Sequence, residues 1–244
     1  MDVKESEAEN TSSRGRITVS RNGPYHVSGR VPMYKQTIIA DHEGTANEWQ
    51  EGDMYPMQDT YDLCRCGQSG SKPFCDEMHK RIGFDGSEKA SRTAWLERAK
   101  EIEGPTVKLV DVEDLCAAAR FCHRAGGVWD LVSRSDDLEV KRIVIEEARD
   151  CPSGRLTVWD KNTKKMIEPE FEQSIGLVED PQVGVSGPIW VRGGIPVVSA
   201  DGREYEIRNR VTLCRCGKSS SKPLCDGSHY HEENAQGDKS HEQS

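Results

Sequence analysis

The chain has 244 residues, of which 34% are hydrophobic and 31% charged, with a formal net charge of -9. So small an apolar fraction over this length excludes one large core and points to small units stapled by metals. The acidic balance excludes nucleic acid as a main partner, since that would need a basic face. No apolar run approaches a membrane span, and Met1 to Glu9 is acidic and polar with no targeting pattern, so the expectation is a cytoplasmic protein without a membrane partner.

Residues 1–14 are charged and polar, lack an apolar period, and read as a disordered tail. Ile17-Thr18-Val19 is the first predicted strand. Asn22 to Met33 alternates partially between Gly and Pro, as expected of a strand with a turn or bulge. Asp41 to Pro56 is acidic, carries His42, Glu43, Glu48 and Trp49, and reads as a surface loop, with partner docking as the other reading. Strand-like Tyr61-Asp62-Leu63 leads into Cys64 to His79, C-R-C-G-Q-S-G-S-K-P-F-C-D-E-M-H, which holds three thiols and one imidazole. Asp76 follows the third Cys and is a good helix N-cap. On a helix, residues four apart share a face, so Cys75 and His79 would aim at one point. The helix N-terminus would favour an anionic centre. Gly67 lets the backbone turn close to the site, and Pro73 stiffens the return to the third Cys.

Ser87 to Ile102 predicts a connector helix, with Ser87 as cap, Ala94, Trp95 and Ala99 as a partial apolar stripe, and Gly104-Pro105 as its stop. Thr106 to Val110 is a plausible strand. Cys116 and Cys122 follow, and far downstream sits Cys151-Pro152-Ser153-Gly154. A cubane ferredoxin site uses Cys-x2-Cys-x2-Cys with a remote Cys-Pro, and this stretch has that frame with Ala119 at the middle position. Between the cysteines, Val140, Ile143, Val144 and Ala148 give a helical apolar face, and Leu156 to Trp159 a returning strand. Three thiolates hold three irons, so a 3Fe-4S cluster is the direct expectation. A 4Fe-4S cluster would need a fourth ligand from His123, a carboxylate such as Asp130, or water. A buried structural role for the three cysteines is the bland alternative. Lys161 to Asp180 reads as a linker.

Ser186 to Val197 then repeats the pattern of Asn22 to Met33, and Val211-Thr212-Leu213 leads into Cys214 to His229, C-R-C-G-K-S-S-S-K-P-L-C-D-G-S-H. Both motifs have identical spacing and each sits behind a similar upstream run, so the repeat is a whole module. Tyr230 to Ser244 is polar and reads as a second tail. His231 lies two residues past His229 and on a helix would face away. The nine cysteines fall into three groups of three with none left over, which favours a reducing, intracellular setting over a disulfide framework.

Four N/S ligands suit structural zinc or an iron–sulfur cluster, and spacing alone leaves both open. The residues go further. The second motif resembles the CDGSH-type iron–sulfur domain, the mitoNEET family, at Cys214, Cys216, Ser219, Pro223, Cys225, Asp226, Gly227, Ser228 and His229. The first matches at Cys64, Cys66, Ser69, Pro73, Cys75, Asp76 and His79, and departs at Glu77 and Met78 without losing a ligand. The resemblance implies a 2Fe-2S cluster at each site, two Cys on one iron and Cys plus His on the other. Residues 106–160 resemble the divergent single-cluster ferredoxins, which implies one 3Fe-4S or 4Fe-4S cluster on Cys116, Cys122 and Cys151.

The implied fold is α+β. Two small β-rich CDGSH modules, at 15–85 and 166–230, form an internal pseudo-twofold pair. A connector helix at 86–104 and an α+β ferredoxin-like domain at 105–165 lie between them, and tails at 1–14 and 231–244 flank the whole. The family often exchanges strands between the chains of a homodimer; here one chain would supply both halves and act as a monomer. Electron transfer to a redox partner protein is the first expectation, and cluster transfer to an apo-acceptor, or redox and pH sensing, the second. His ligation would make each outer site's potential pH-dependent. Lys72, Lys222, Asp76 and Asp226 are candidates to tune the sites from outside the ligand set. A zinc-bound structural interaction module is the weaker alternative. An enzyme using an open iron as Lewis acid is least favoured, because no nucleophile–base pair, phosphate loop or nucleotide fingerprint is visible.

Overall fold

The computed structural model describes residues 14–230, so His231 and the predicted tails, apart from Arg14 and Tyr230, lie outside the described residues. The first third folds as β1 (Arg16–Val19), β2 (Tyr25–Ser28), β3 (Met33–Ala40), β4 (Ala46–Met54), β5 (Thr60–Leu63) and the short helix α1 (Met78–Arg81). The middle holds β6 (Lys100–Glu103), β7 (Val107–Asp111), α2 (Val128–Leu131), α3 (Leu138–Arg149), β8 (Leu156–Asp160) and β9 (Met166–Ile167). The last third is β10 (Ser174–Asp180), β11 (Val185–Arg192), β12 (Val197–Val198) and β13 (Arg210–Leu213). The architecture is mixed α+β and mostly sheet.

Three sheets form, in the orders β12-β1-β2-β5, β13-β11-β10-β3-β4 and β6-β7-β8-β9. The first two draw strands from both ends of the chain. β1 pairs in parallel with β12, Ile17 opposite Val197, and β10 pairs in parallel with β3, Ile175 opposite Met33. The bonds that start each pairing match: the Ile17 N–H donates to the Pro196 carbonyl at 3.0 Å and the Ile175 N–H to the Pro32 carbonyl at 2.8 Å. Each repeat therefore gives the strand after its proline to the other repeat's sheet. Both sheets close on one core. Ile17, Val27 and Leu63 meet Ile175, Ile189 and Leu213 there, each at most 1% exposed. A half of this size has too little apolar area to hold a core alone, which favours the exchange.

β11 is buried on both faces. Ile189 and Val191 point into the shared core, while Trp190 points the other way into a cluster with Ile38, Ala46, Val178, Ala119 and Phe121. Trp49 of β4 packs on Phe121 and Trp190, ring centroids 4.7 and 4.9 Å away, and its indole N–H donates to the Asp150 carbonyl at 3.0 Å. This cluster docks the middle third onto the sheet. The expected surface loop at 41–56 is thus largely a strand. It is an exposed edge, so the period-two pattern that marks strands is missing, and its charges guard it from pairing with other chains.

The expected connector helix at 86–104 does not form. Only Trp95–Arg98 makes a 3-10 turn, and Lys100–Glu103 is a strand. The segment before it runs over the second repeat instead. The Lys89 and Ala90 N–H groups donate to the Lys222 carbonyl at 2.7 and 3.0 Å. The Glu88 carboxylate accepts from the Ser199 hydroxyl, the Ala200 N–H and the Tyr205 hydroxyl. These long-range bonds outweigh a weak local helix preference. The expected linker at 161–180 likewise contains β9 and β10. β10 is buried on both faces, so no alternation betrays it.

The middle third follows expectation more closely, with β7, α3 and β8 packed through Val107, Leu109, Val144, Leu156 and Val158. Asp137 caps α3, its carboxylate accepting from the Glu139 and Val140 N–H groups. Glu147 is the misfit of this core: it is 0% exposed and neither carboxylate oxygen has a hydrogen-bond partner. Burial pushes its carboxyl up to about 8, against the pull of Arg124. With the folded pKa raised, the stability contribution is full below the unfolded value of about 4.3 and is lost as pH rises through about 8. Glu147→Gln is expected to stabilise the protein by about 3 kcal/mol near pH 8 and far less near pH 5, as read by urea unfolding at both. Equal gains at the two pH values would assign the effect to packing.

Candidate metal centres

β5 delivers Cys64 and β13 delivers Cys214. The loops that follow are built alike. The Cys64 N–H donates to the Pro73 carbonyl at 2.8 Å and the Cys75 N–H to the Asp62 carbonyl at 2.9 Å; Cys214 to Pro223 and Cys225 to Thr212 repeat these distances. The Ser69 and Ser219 hydroxyls donate to the Phe74 and Leu224 carbonyls at 2.6 and 2.7 Å. Asp76 accepts from the Gly70 N–H at 2.7 Å and the Met78 N–H at 3.1 Å, and Asp226 from Ser220 at 2.8 Å and Ser228 at 3.1 Å. The aspartate therefore ties the two arms of its loop together as well as starting a turn. That turn is short, α1 in the first copy and the 3-10 turn Ser228–Tyr230 in the second, so helix polarity adds little.

These frames bring the expected ligands together in pairs. Cys64 Sγ and Cys66 Sγ are 3.8 Å apart, and Cys75 Sγ lies 3.4 Å from His79 Nδ1. Cys214 Sγ and Cys216 Sγ are 3.6 Å apart, and Cys225 Sγ lies 3.5 Å from His229 Nδ1. Metal–sulfur bonds of about 2.3 Å give a tetrahedral edge of about 3.8 Å, close to the thiol–thiol separations. Among the described residues no three Cys, His, Asp or Glu side chains converge on one ion position. Meeting two by two, the ligands suit a pair of bridged metals, one held by two thiolates and the other by a thiolate and Nδ1.

The arginine inside each Cys-Arg-Cys turns inward, a role the sequence reading missed although the repeated residue signalled it. Arg65 donates to the Gly86 carbonyl at 2.6 Å, and Arg215 to the Gly187 and Val178 carbonyls at 2.7 and 2.6 Å. The two motifs also touch each other. A Cβ on Gly67, at φ +75°, would stand 2.3 Å from the Cys216 carbonyl oxygen, and one on Gly217, at φ +80°, 2.4 Å from that of Cys66. The Tyr25 hydroxyl lies 2.8 Å from the Cys214 carbonyl and 3.0 Å from that of Pro223.

Burial and mutual crowding act on these thiols. Burial, with Cys64 beside it, pushes the Cys66 thiol up to about 11, and burial and Cys214 push Cys225 up. The hydrogen bond between Cys214 and Cys216, with burial, raises Cys214, while the same bond pulls Cys216 down to about 7. A cationic metal core would take the place of the thiol protons. Burial, helped by Arg215, pulls the His229 imidazole down to about 4. Although burial works against it, hydrogen bonds from Ser228 and Ser220 hold the Asp226 carboxyl at about 2.

Cys116, Cys122 and Cys151 lie within electrostatic reach of one another. Burial and the neighbouring Cys151 and Cys116 push the Cys122 thiol up to about 12. The two side chains considered as fourth ligands do not turn inward: His123 is exposed and packs on the Trp129 ring at 5.5 Å, and Asp130 is exposed. Ala119 sits in the aromatic cluster beside Phe121, carried there by left-handed residues Ala118 (φ 55°) and Arg120 (φ 66°). The place of the missing Cys has become a docking contact. Ala119→Cys is therefore expected to leave the iron content of the purified protein unchanged; one added iron per chain would show that the loop can turn its side chain back. Cations flank this site. Arg155, held by Asp111 at 2.6 and 2.8 Å, acts on Cys116, and Arg208, bonded to the Ser153 carbonyl, faces the field of Cys151. Such charges favour the more negative, reduced form of a cluster.

Two sites of thiol–thiol and thiol–imidazole contacts flank a further group of three cysteines, and the families that match these regions make the chain an iron–sulfur protein. More particularly, the chain carries two CDGSH-type regions flanking a divergent single-cluster domain. The family described as iron-binding zinc finger, CDGSH type, matches residues 22–80 and 186–230, and the family described as divergent 4Fe-4S mono-cluster matches residues 102–161. No curated protein and no solved structure matches the chain. No helix among the described residues is long and apolar enough to cross a membrane.

Proposed function

We propose that the chain is a three-centre electron carrier. Cys64, Cys66, Cys75 and His79 hold one 2Fe-2S cluster, Cys214, Cys216, Cys225 and His229 a second, and Cys116, Cys122 and Cys151 a 3Fe-4S or 4Fe-4S cluster. The observation that carries this reading is contiguity. The Gly67 and Gly217 turns press on each other's Cys carbonyls, and a Cβ on Gly227 would stand 3.5 Å from the Cys116 carbonyl oxygen. The second CDGSH site thus sits between the first and the central one, an order suited to passing single electrons along. The clusters supply one-electron chemistry. The chain's own residues orient them, keep water from Cys214 and Cys225, and place Arg155 and Arg208 beside the central thiolates. The matching strand exchange supports an internal pseudo-twofold pair, hence a monomer. The fall of all nine cysteines into three groups of three supports a reducing compartment such as the cytoplasm.

The test is anaerobic purification with iron, sulfide and zinc analysis, followed by absorption and EPR spectra before and after reduction. About seven or eight irons per chain are expected, with a redox-active signal from each centre. A colourless protein holding zinc would replace this reading with a structural interaction module. Cluster donation is a second reading at the first site alone, favoured by the half-buried Cys75 and His79.

A further inference from the structure

The two CDGSH repeats are built alike but carry opposite charge at one equivalent position. In both, the arginine between the first two cysteines is buried, Arg65 at 1% and Arg215 at 8% exposure. Arg65 donates to the Ser20 carbonyl at 3.3 Å and Arg215 to the Val178 carbonyl at 2.6 Å. These acceptors correspond: each lies three residues after the isoleucine, Ile17 or Ile175, whose N–H opens the exchanged pairing. The next residue differs. After Val178 comes Glu179, whose carboxylate pairs with Arg215 at 2.5 Å. After Ser20 comes Arg21, which is exposed.

Arg65 is therefore a buried cation that pairs with no carboxylate among the described residues. Its other contacts are the Gly86 carbonyl at 2.6 Å and the rings of Tyr25 and Phe84 at 5.6 and 5.7 Å, and its Nε has no partner. Asp76, Glu77 and Asp85, which follow in the same repeat, are exposed and bonded to Gly70, Lys80 and Ser87, where water screens them. At the second site both cations that act on His229, Arg215 and Arg120, have carboxylate partners, Glu179 and Asp180, at 2.5 Å each. Exposure does not separate the sites. Cys75 and His79 are half-buried where Cys225 and His229 are buried, but Cys216 is half-buried where Cys66 is buried.

We propose that Arg65 and Glu179 set the direction of the relay. The unpaired Arg65 holds the first outer centre at the higher potential, and Glu179, by cancelling Arg215, holds the second lower. This rests on the reading that both sites hold 2Fe-2S clusters. A cluster gains one negative charge on reduction, so an unpaired cation beside it favours the reduced form and a neutralised one does not. One electron passes from the reduced second centre to the oxidised first; the second is left oxidised, and no bond forms or breaks. Electrons that enter at the central centre therefore finish on the first outer one.

The experiment uses the full-length holoprotein, titrated anaerobically with reductant at one pH while EPR follows each centre. Iron and sulfide are measured first. His79→Cys alters the ligands of the first centre alone and so assigns the two outer signals. In the wild type the first centre is expected to hold the electron in preference to the second by at least about tenfold, which is about 59 mV for one electron. Glu179→Gln, which keeps an acceptor for the Ser186 hydroxyl, is expected to raise the second centre and narrow the gap. Arg21→Glu gives the first repeat the charge of the second and is expected to lower the first centre. A wild-type second centre at or above the first, or a gap that neither variant narrows, overturns this proposal alone. A protein without iron–sulfur signals at the outset overturns the proposed function.

Discussion

Arg210→Met is expected to destabilise the protein by about 3–5 kcal/mol and to cost it the central cluster before the outer two. Arg210 is 2% exposed, and its guanidinium donates to the carbonyls of Ala148, Arg149 and Cys151 at 2.9, 2.8 and 2.7 Å, and of Leu156 at 3.2 Å. It also pairs with Glu168, its Nε lying 3.0 Å from the carboxylate. The first two of those carbonyls end α3, whose last turn has no further helical N–H to satisfy it. The third belongs to Cys151 itself. A residue of the second CDGSH region thus holds the helix end that presents Cys151, the ligand proposed for the central site. Methionine keeps the stem but takes a donor from four carbonyls and a half-buried carboxylate; Ala148 and Cys151 keep the backbone bonds from the Cys151 and Gly154 N–H groups at 3.2 Å, and Glu168 keeps the Asn209 amide at 3.0 Å. Urea unfolding measures the loss, and iron content with EPR shows which centre goes. A drop confined to the central centre is the expected signature. Unchanged stability would show that water takes over the guanidinium's bonds.

Gly217→Ala is expected to cost about 3 kcal/mol or more. Placing a Cβ in the left-handed region costs about 1–2 kcal/mol by itself. The Cβ would also stand 2.4 Å from the Cys66 carbonyl oxygen, so one motif's backbone must move away from the other's. Gly67→Ala meets the mirror contact at 2.3 Å and should behave alike. Gly83→Ala is the control: φ is +63° and nothing lies within 4 Å of the new Cβ, so it should show the backbone cost alone. If Gly217→Ala costs no more than Gly83→Ala, the contact between the motifs is soft and the relay order loses its support.

Part of this molecule is legible in its sequence for a simple reason. Cys64 to His79 and Cys214 to His229 are short, so chain geometry limits where their ligands go, and both copies bring the same pairs together. α3 was legible because Val144 and Ala148 recur at helical spacing on the face that is buried. β10 and β4 were not, since one is buried on both faces and the other exposed along most of its length, and neither leaves a period to read. The segment after Ser87 misled because its hydrogen-bond partners, Lys222 and Ser199 among them, lie far along the chain. Ala119 read as a vacant ligand position, yet its side chain belongs to the packing around Trp49 and Trp190.

The sequence by itself determined the grouping of the cysteines and histidines, the duplication and the families these regions match, because each is written within a few residues. Tertiary structure alone decided which centres touch and which strand serves which sheet. Those outcomes rest on contacts such as Gly67 with Cys216 and Arg210 with Cys151. Residues so distant in sequence meet only when burying a shared core outweighs the entropy of closing the chain between them.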